Sequence, residues 1–290
     1  MGKGKILITG ATGELGGLTL EHLLKMKNIK KEQVVALARK ENKNLSNKGI
    51  EIRIGSYDDR ESLNKAFNGI EKLLVISSPS LDNAHRLQQL INVIMSAKDN
   101  KVEHIIFVGL ADAEKRLFGL EDVDMAIEHM ILALGIPYTF MRNPVYLNEL
   151  SYDLHTAMKT GKLISASKGK KINYVIKNDL ALANAIVLSE DNHQNRIYDL
   201  RSNELITYPE MAAILSDITG KTIPYEEKAA EEVISILDDM GIDKDAIELL
   251  VNCFHKLISE NKFTDTSDDL AKLLGERLSS KKEAILSLLD

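Results

Sequence analysis

Lys5–Gly17, KILITGATGELGG, joins a short apolar run to a loop with glycines at positions 10, 13 and 16. Ile6, Leu7 and Ile8 do not alternate with polar residues, which is the pattern of a strand buried on both faces of a parallel sheet. Beyond the loop, Leu15, Leu20, Leu23 and Leu24 recur at helical spacing. Strand, glycine turn and amphipathic helix in this order make the loop read as a dinucleotide cradle rather than a plain turn. Gly10 lets the chain turn at the strand end, Gly13 lets the backbone approach a pyrophosphate, and Gly16 lets the helix lie close to the strand. The ligand's charge then faces unpaired amides at the helix N-terminus. Thr9 and Thr12 can add hydroxyls. The cofactor-binding set at this loop is Gly10, Thr12, Gly13, Leu15 and Gly16. The Gly-Lys-Ser/Thr sequence of a phosphate-transfer loop does not follow.

Working outward, Val34–Ala38 predicts a second strand, and it ends in Arg39 and Lys40. An acidic residue at that place suits a free ribose diol, whereas cations suit a 2′-phosphate, so NADP(H) is favoured over NAD(H). The bland alternative is a solvated basic loop. Ile50, Ile52 and Ile54 alternate as a third strand, broken by Gly55-Ser56-Tyr57-Asp58-Asp59. Asp59 can cap the following helix. Asp58 is either a cap or turn residue or an acceptor for the adenine amino group at the rim of the sheet.

Leu73–Ile76 predicts a fourth strand. Ser77, Ser78 and Pro79 follow it on the edge where the ribose and nicotinamide end of a cofactor passes. His85, near the start of the next helix, is a surface histidine or a substrate-side residue. The fifth strand, Ile105–Val108, ends in Gly109, where a short-chain reductase places a catalytic serine, and no Tyr-x-x-x-Lys follows. A sixth strand over 136–142 leads to Arg142, Asn143 and Tyr146. Asn143 and Tyr146 carry polar heads suited to a substrate, or serve as a turn asparagine and a half-buried tyrosine. Arg142 is expected to lock two lobes together through carboxylates or carbonyls.

The second half predicts short strands at 163–166, 172–175, 196–200 and 223–225. Asn178-Asp179 is expected to cap one helix, and Thr207 with Glu210 has the spacing of a capping box. Helices follow over 226–238, 244–260, 267–274 and 281–289. The resulting fold class is α/β: a Rossmann-like parallel sheet flanked by helices, with a smaller, mostly helical C-terminal lobe. Residues 1–145 are expected to bind NADP(H). Residues 146–290 are expected to form the substrate or partner lobe over the mouth of the sheet, with some segments returning to it.

With 290 residues the chain can bury a large core. A net charge of −6 argues against nucleic acid as the main partner. Cys253 is the single cysteine, which rules out an intrachain disulfide. Its apolar neighbours Leu250, Val251, Phe254 and Leu257 read as packing for a core thiol. No HxH or HExxH spacing points to a metal. No apolar run is long enough for a membrane helix, and MGKGK runs straight into the first strand, so a cytoplasmic protein is expected.

Together, GATGELG, the Arg39 ending, IRIGSYDD, GIPYTFMRNPVYLNEL and TDTSDDLAKLLG resemble atypical short-chain dehydrogenases/reductases over nearly the whole chain. The likeness is to NmrA-like proteins and type-2 NADPH quinone oxidoreductases. It implies a monomer or homodimer with NADPH across the sheet edge and a small quinone near the nicotinamide. Gly10, Gly13 and Gly16 then serve the pyrophosphate, Arg39 the 2′-phosphate, and Asn143 and Tyr146 the substrate side. The family's His-x-x-Thr-Glu-like segment has Asp124 near the histidine's place and Glu128 as its acidic member. Relatives that reduce phenylpropanoid ethers use a lysine there, and Asp124 and Ala126 argue against that activity. The resemblance supports hydride transfer to a quinone or, as the alternative, an NADP(H)-binding redox sensor without turnover.

Overall fold

In a computed structural model, which describes residues 4–289, the chain forms two compact units. One is Met1–Asn143 with Lys177–Leu200, and the other is Pro144–Ile176 with Arg201–Asp290. The first opens with β1 (Lys5–Ile8), α1 (Glu14–Leu24), β2 (Val34–Ala38), α2 (Lys43–Asn47), β3 (Glu51–Ile54) and α3 (Arg60–Ala66). It continues with β4 (Ile70–Ile76), α4 (Asn83–Asp99), β5 (His104–Leu110), α5 (Glu121–Leu134) and β6 (Tyr138–Asn143). After α6 (Ser151–Thr160), β7 (Leu163–Ser165) and β8 (Lys171–Asn173) of the second unit, α7 (Lys177–Ser189) and β9 (Arg196–Asp199) return to the first.

The first unit is a parallel sheet in the order β3-β2-β1-β4-β5-β6-β9. All five residues of β2 are buried, as a central strand covered on both faces requires. One face packs Leu7, Val35, Leu73, Ile105, Phe107 and Phe140 against Leu63, Leu90, Ile94 and Ile127 of α3, α4 and α5. The intervening strand residues point to the other face by the period of two, where α1 and α7 pack together. The alternation over 50–54 is correct for a strand, but β3 is an edge and Ile54 stays exposed.

Local signals act as their chemistry dictates in some places and not in others. Asp59 caps α3 by accepting from the Glu61 and Ser62 amides, and Asn42 caps the short α2, which periodicity does not reveal. Asn178 and Asp179 do not cap α7, which begins one residue earlier at Lys177, so both lie inside its first turn.

The second unit adds β10 (Leu205–Thr207), α8 (Tyr208–Thr219), β11 (Tyr225–Glu227) and α9 (Ala230–Asp239). They are followed by α10 (Lys244–Ile247), α11 (Lys256–Ser259), α12 (Asp269–Leu274) and α13 (Lys281–Leu286). Thr207 and Glu210 form the expected capping box. α9 starts later than its periodicity suggests because Tyr225–Glu227 pairs with β7. The helix expected over 244–260 is interrupted by a π-helical stretch, Glu248–His255, ending at the buried His255. His255 Nδ1 accepts from the Ala166 amide at 3.3 Å, and Nε2 lies 2.8 Å from Asp153 Oδ2, which also accepts from the Tyr208 hydroxyl at 2.7 Å. The pairing explains how so polar a group is buried. Cys253 is half-buried rather than a core residue, and burial pushes its thiol above the ordinary value. Among the described residues no helix is long and apolar enough to cross a membrane.

The amino ends of β5 and β6 carry a titratable core group. His104 Nε2 lies 2.8 Å from Thr139 Oγ1, whose hydroxyl donates to the His193 carbonyl at 2.6 Å. Burial, followed by the nearby Lys72 charge, lowers His104 from 6.5 to about 4. Its imidazole is therefore neutral in the fold while the unfolded chain takes up a proton near 6.5. Between those values the unfolded state binds more protons, so stability rises with pH and is lost as pH falls. Denaturant titrations should show a loss of at most about 3 kcal/mol across this window. In His104→Gln that part of the pH profile should flatten; a profile identical to that of the parent protein refutes the assignment.

Candidate functional site

In a sheet of this order ligands bind beyond the carboxyl ends of the strands, at the point where the strand order reverses. Here that point lies between β1 and β4. It is pinned by Tyr57, whose hydroxyl hydrogen-bonds Thr9 Oγ1 at 2.6 Å and the Ile76 carbonyl at 2.9 Å. The Ile76 amide donates in turn to Thr9 Oγ1 at 3.0 Å. Thr9 thus serves the sheet, and the exposed Thr12 is the hydroxyl left facing outward from the loop.

The glycine loop opens beside this point. Gly10 has φ +62°, in the left-handed region, and a Cβ there would lie 3.4 Å from the Ile76 side chain. A Cβ on Gly16 would fall 2.2 Å from the Gly10 carbonyl oxygen, so only glycine allows α1 to pass so close to the turn. At Gly13 a Cβ would meet that oxygen at a tolerable 3.4 Å. Packing therefore does not account for Gly13. It is the N-cap of α1 and makes no side-chain cap, so the first-turn amides, Leu15's included, have no capping side chain at their own helix start. Arg39 and Lys40 lie exposed directly beyond β2, the neighbour of β1. A cradle that a Cβ would fill, an uncapped helix start and two outward cations fit the pyrophosphate and 2′-phosphate of NADP(H).

Asp58 does not cap. Its Oδ1 accepts from Gln89 Nε2 at 2.8 Å and lies 2.7 Å from His85 Nε2. The His85 imidazole, then the Gln89 amide, hold the Asp58 carboxyl below its ordinary value. Gln89 Oε1 accepts from the Ser78 hydroxyl, so Asp58, Gln89 and Ser78 form one chain across the β3 and β4 ends. His85 belongs to this group and not with Glu128 and Asn143.

Ser77 and Ser78 are held from below by Arg86, whose guanidinium donates to the Ser78 carbonyl and, at 2.6 Å, to Ser77 Oγ. The same guanidinium meets Asp124 Oδ1 at 3.0 Å, and both side chains are buried. Pro79 is exposed. At the neighbouring strand end, a Cβ on Gly109 would lie 3.4 Å from Asp124 Oδ2 and 3.0 Å from Phe107. A side chain at the catalytic serine's usual place would thus abut Phe107 and the Asp124 carboxylate. The sequence brought in Asp124 only through the family's His-x-x-Thr-Glu-like segment and gave neither its pairing nor any place to Arg86. The available signal was a charge on an apolar face: Arg86 precedes Leu90 by four residues, and Asp124 precedes Ile127 and Ile131 by three and seven.

Arg142, expected to join two lobes, pairs with a carboxylate of its own unit. Its Nε donates to Glu128 Oε1 at 3.0 Å and its Nη2 to Oε2 at 2.6 Å, a bidentate pair inside the first unit. Glu128 raises the Arg142 guanidinium above its ordinary value. Asn143 is buried at the end of β6, and its carbonyl accepts from the Ala111 amide at 2.8 Å. Tyr146, in the second unit, is partly exposed ahead of a short helical turn at Leu147–Leu150.

The profile of the NmrA-like family matches residues 2–277. The chain belongs to the NmrA-like family. Within the family it is 32% identical to quinone oxidoreductase 2 of Escherichia coli strain K12, over 98% of this chain and 99% of that protein. The solved triphenylmethane reductase of Citrobacter sp. complexed with NADP(H) superposes with a TM-score of 0.88. It is 37% identical, covering 98% of this chain and 100% of that one. The NADPH-dependent quinone oxidoreductase of Escherichia coli complexed with NADPH superposes with a TM-score of 0.84 at 31% identity, with coverage of 98% and 100%. This NmrA-like chain shares their doubly wound sheet.

Proposed function

We propose that the protein is an NADPH-dependent reductase that passes hydride to a quinone or a similar small conjugated acceptor. The observation that carries this reading is the glycine cradle at the sheet's switch point with Arg39 and Lys40 beyond the next strand. The relatives described as complexes with NADP(H) or NADPH support the cofactor, and the quinone oxidoreductases support the acceptor class. Gly10, Gly13 and Gly16 would receive the pyrophosphate, Arg39 and Lys40 the 2′-phosphate, and Ser77, Ser78 and Pro79 the ribose and nicotinamide half. NADPH supplies the hydride.

The chemistry of the strand ends narrows the acceptor. Gly109 offers no hydroxyl, Asp124 is paired with Arg86, and Glu128 is paired with Arg142. None of these groups is placed as a ready general acid. A conjugated quinone suits such a site, because hydride adds to the ring system while negative charge spreads onto a carbonyl oxygen, which then takes a proton from water. Asn143 and Tyr146 are the proposed substrate-side hydrogen-bonding groups, and the protein is proposed to act as a monomer or homodimer.

The same pairing of carboxylates favours a second reading, an NADP(H)-binding regulator without turnover. NADPH oxidation with a panel of small quinones separates the two. The reductase should show acceptor-dependent oxidation well above a Gly13→Asp control. Tight NADPH binding without oxidation by any acceptor instead identifies the regulator.

A further inference from the structure

Arg86 and Asp124 form a buried ion pair that neither the glycine cradle nor the proposed hydride transfer explains. Burying two charges for stability alone is a poor solution, since an apolar pair of similar volume does as well or better. Arg86 Nε has no hydrogen-bond partner among the described residues although it is buried. The guanidinium is therefore placed for its other two nitrogens, which hold the Ser78 carbonyl and Ser77 Oγ.

Asp124 completes the arrangement. Its Oδ1 accepts from Ser77 Oγ at 2.8 Å as well as from Arg86, and its Oδ2 accepts from the Leu110 amide at 3.2 Å. One carboxylate on α5 thus ties the carboxyl end of β4 to that of β5, and Gly109 leaves room for it. Leu110 lies in register with Asn143 of β6, so the tie reaches the third strand end of the site.

We propose that Arg86 and Asp124 are positioning residues for the nicotinamide half of NADPH: they fix the Ser77–Ser78 backbone against the β5 end, where that half of the cofactor is to lie. The proposal rests on the NADP(H) reading above. The partners of Arg86 and Asp124 include none of the glycine loop, Arg39 and Lys40, to which the adenosine half is assigned. The pair therefore discriminates between a whole cofactor and its adenosine fragment.

The test compares NADPH with adenosine 2′,5′-bisphosphate by calorimetry in the parent protein, in Asp124→Asn and in the double variant Arg86→Met/Asp124→Asn. The double variant removes both charges at similar volume, so the fold survives even where an unpaired Arg86 would destabilise the single variant. NADPH affinity should fall by about tenfold or more while the bisphosphate affinity stays within about twofold, because misplacement of a positioning group is felt only by the half it positions. Equal weakening of both ligands, or no change in either, in a folded variant overturns the proposal. A parent protein that binds neither ligand overturns the NADP(H) reading itself, a different result from the loss of discrimination.

Discussion

Gly13→Asp removes NADPH binding while leaving the fold intact, whereas Gly16→Val damages both. The two glycines are three residues apart but under different constraints. Gly13 has φ −87° and ψ 173°, a conformation any residue adopts, and its Cβ meets nothing closer than 3.4 Å. Aspartate is also a preferred N-cap, so the substituted side chain should bond the free amides of α1 and leave the stability unchanged or higher by about a few tenths of a kcal/mol, on the order expected for a cap. Those are the amides a pyrophosphate needs, and the carboxylate repels it as well. Losing two or more charge-assisted hydrogen bonds corresponds to about 3 kcal/mol or more, a fall in affinity of over about 100-fold. Valine at position 16 instead drives a Cβ into the Gly10 carbonyl, with backbone on both sides of the clash. A cost of about 1–3 kcal/mol is expected from such overpacking, along with loss of binding. Calorimetric NADPH titrations and thermal unfolding of both variants check this. Normal binding by Gly13→Asp would show that the pyrophosphate does not sit at the glycine cradle.

Arg39→Ala should lower NADPH affinity by about 10- to 100-fold and leave NADH affinity unchanged, the difference expected for one charged contact to phosphate. Arg39 is exposed and pairs with no described residue, so its removal costs the fold little and the effect falls on the ligand. Lys40→Ala should add a smaller loss of the same sign. Raising salt should weaken NADPH more than NADH in the parent protein and narrow that gap in Arg39→Ala, because the contact lies in solvent reach. Titration of both nucleotides at two ionic strengths provides the measurement. Equal affinity for NADPH and NADH in the parent protein would contradict the role given to Arg39.

Much of the frame was legible because it is local. An unbroken apolar run at Ile6–Ile8, a glycine turn and a leucine-periodic helix specify β1 and α1 without long-range information. The capping roles of Asp59 and Thr207 follow from the residues beside them. What escaped depends on residues distant in sequence. Arg142 was expected to join lobes, yet its partner Glu128 lies one helix back in the same unit. The Arg86–Asp124 pair spans α4 and α5, and only the fold brings it beneath Ser77. The interruption at Glu248–His255 and the strand at Tyr225–Glu227 are likewise set by tertiary pairing, with His255 satisfied by Asp153 and β11 by β7. Helical periodicity alone cannot report either.

The sheet's last strand arrives late. β9 and α7 are made after the chain has left the first unit at Asn143 and traversed 144–176. A fragment trimmed at residue 143 would therefore expose β6 as a bare edge and strip α1 of its packing partner, inviting strand-to-strand aggregation. During synthesis, too, the first unit waits for α7 and β9, so its sheet closes only after Lys177–Leu200 has emerged.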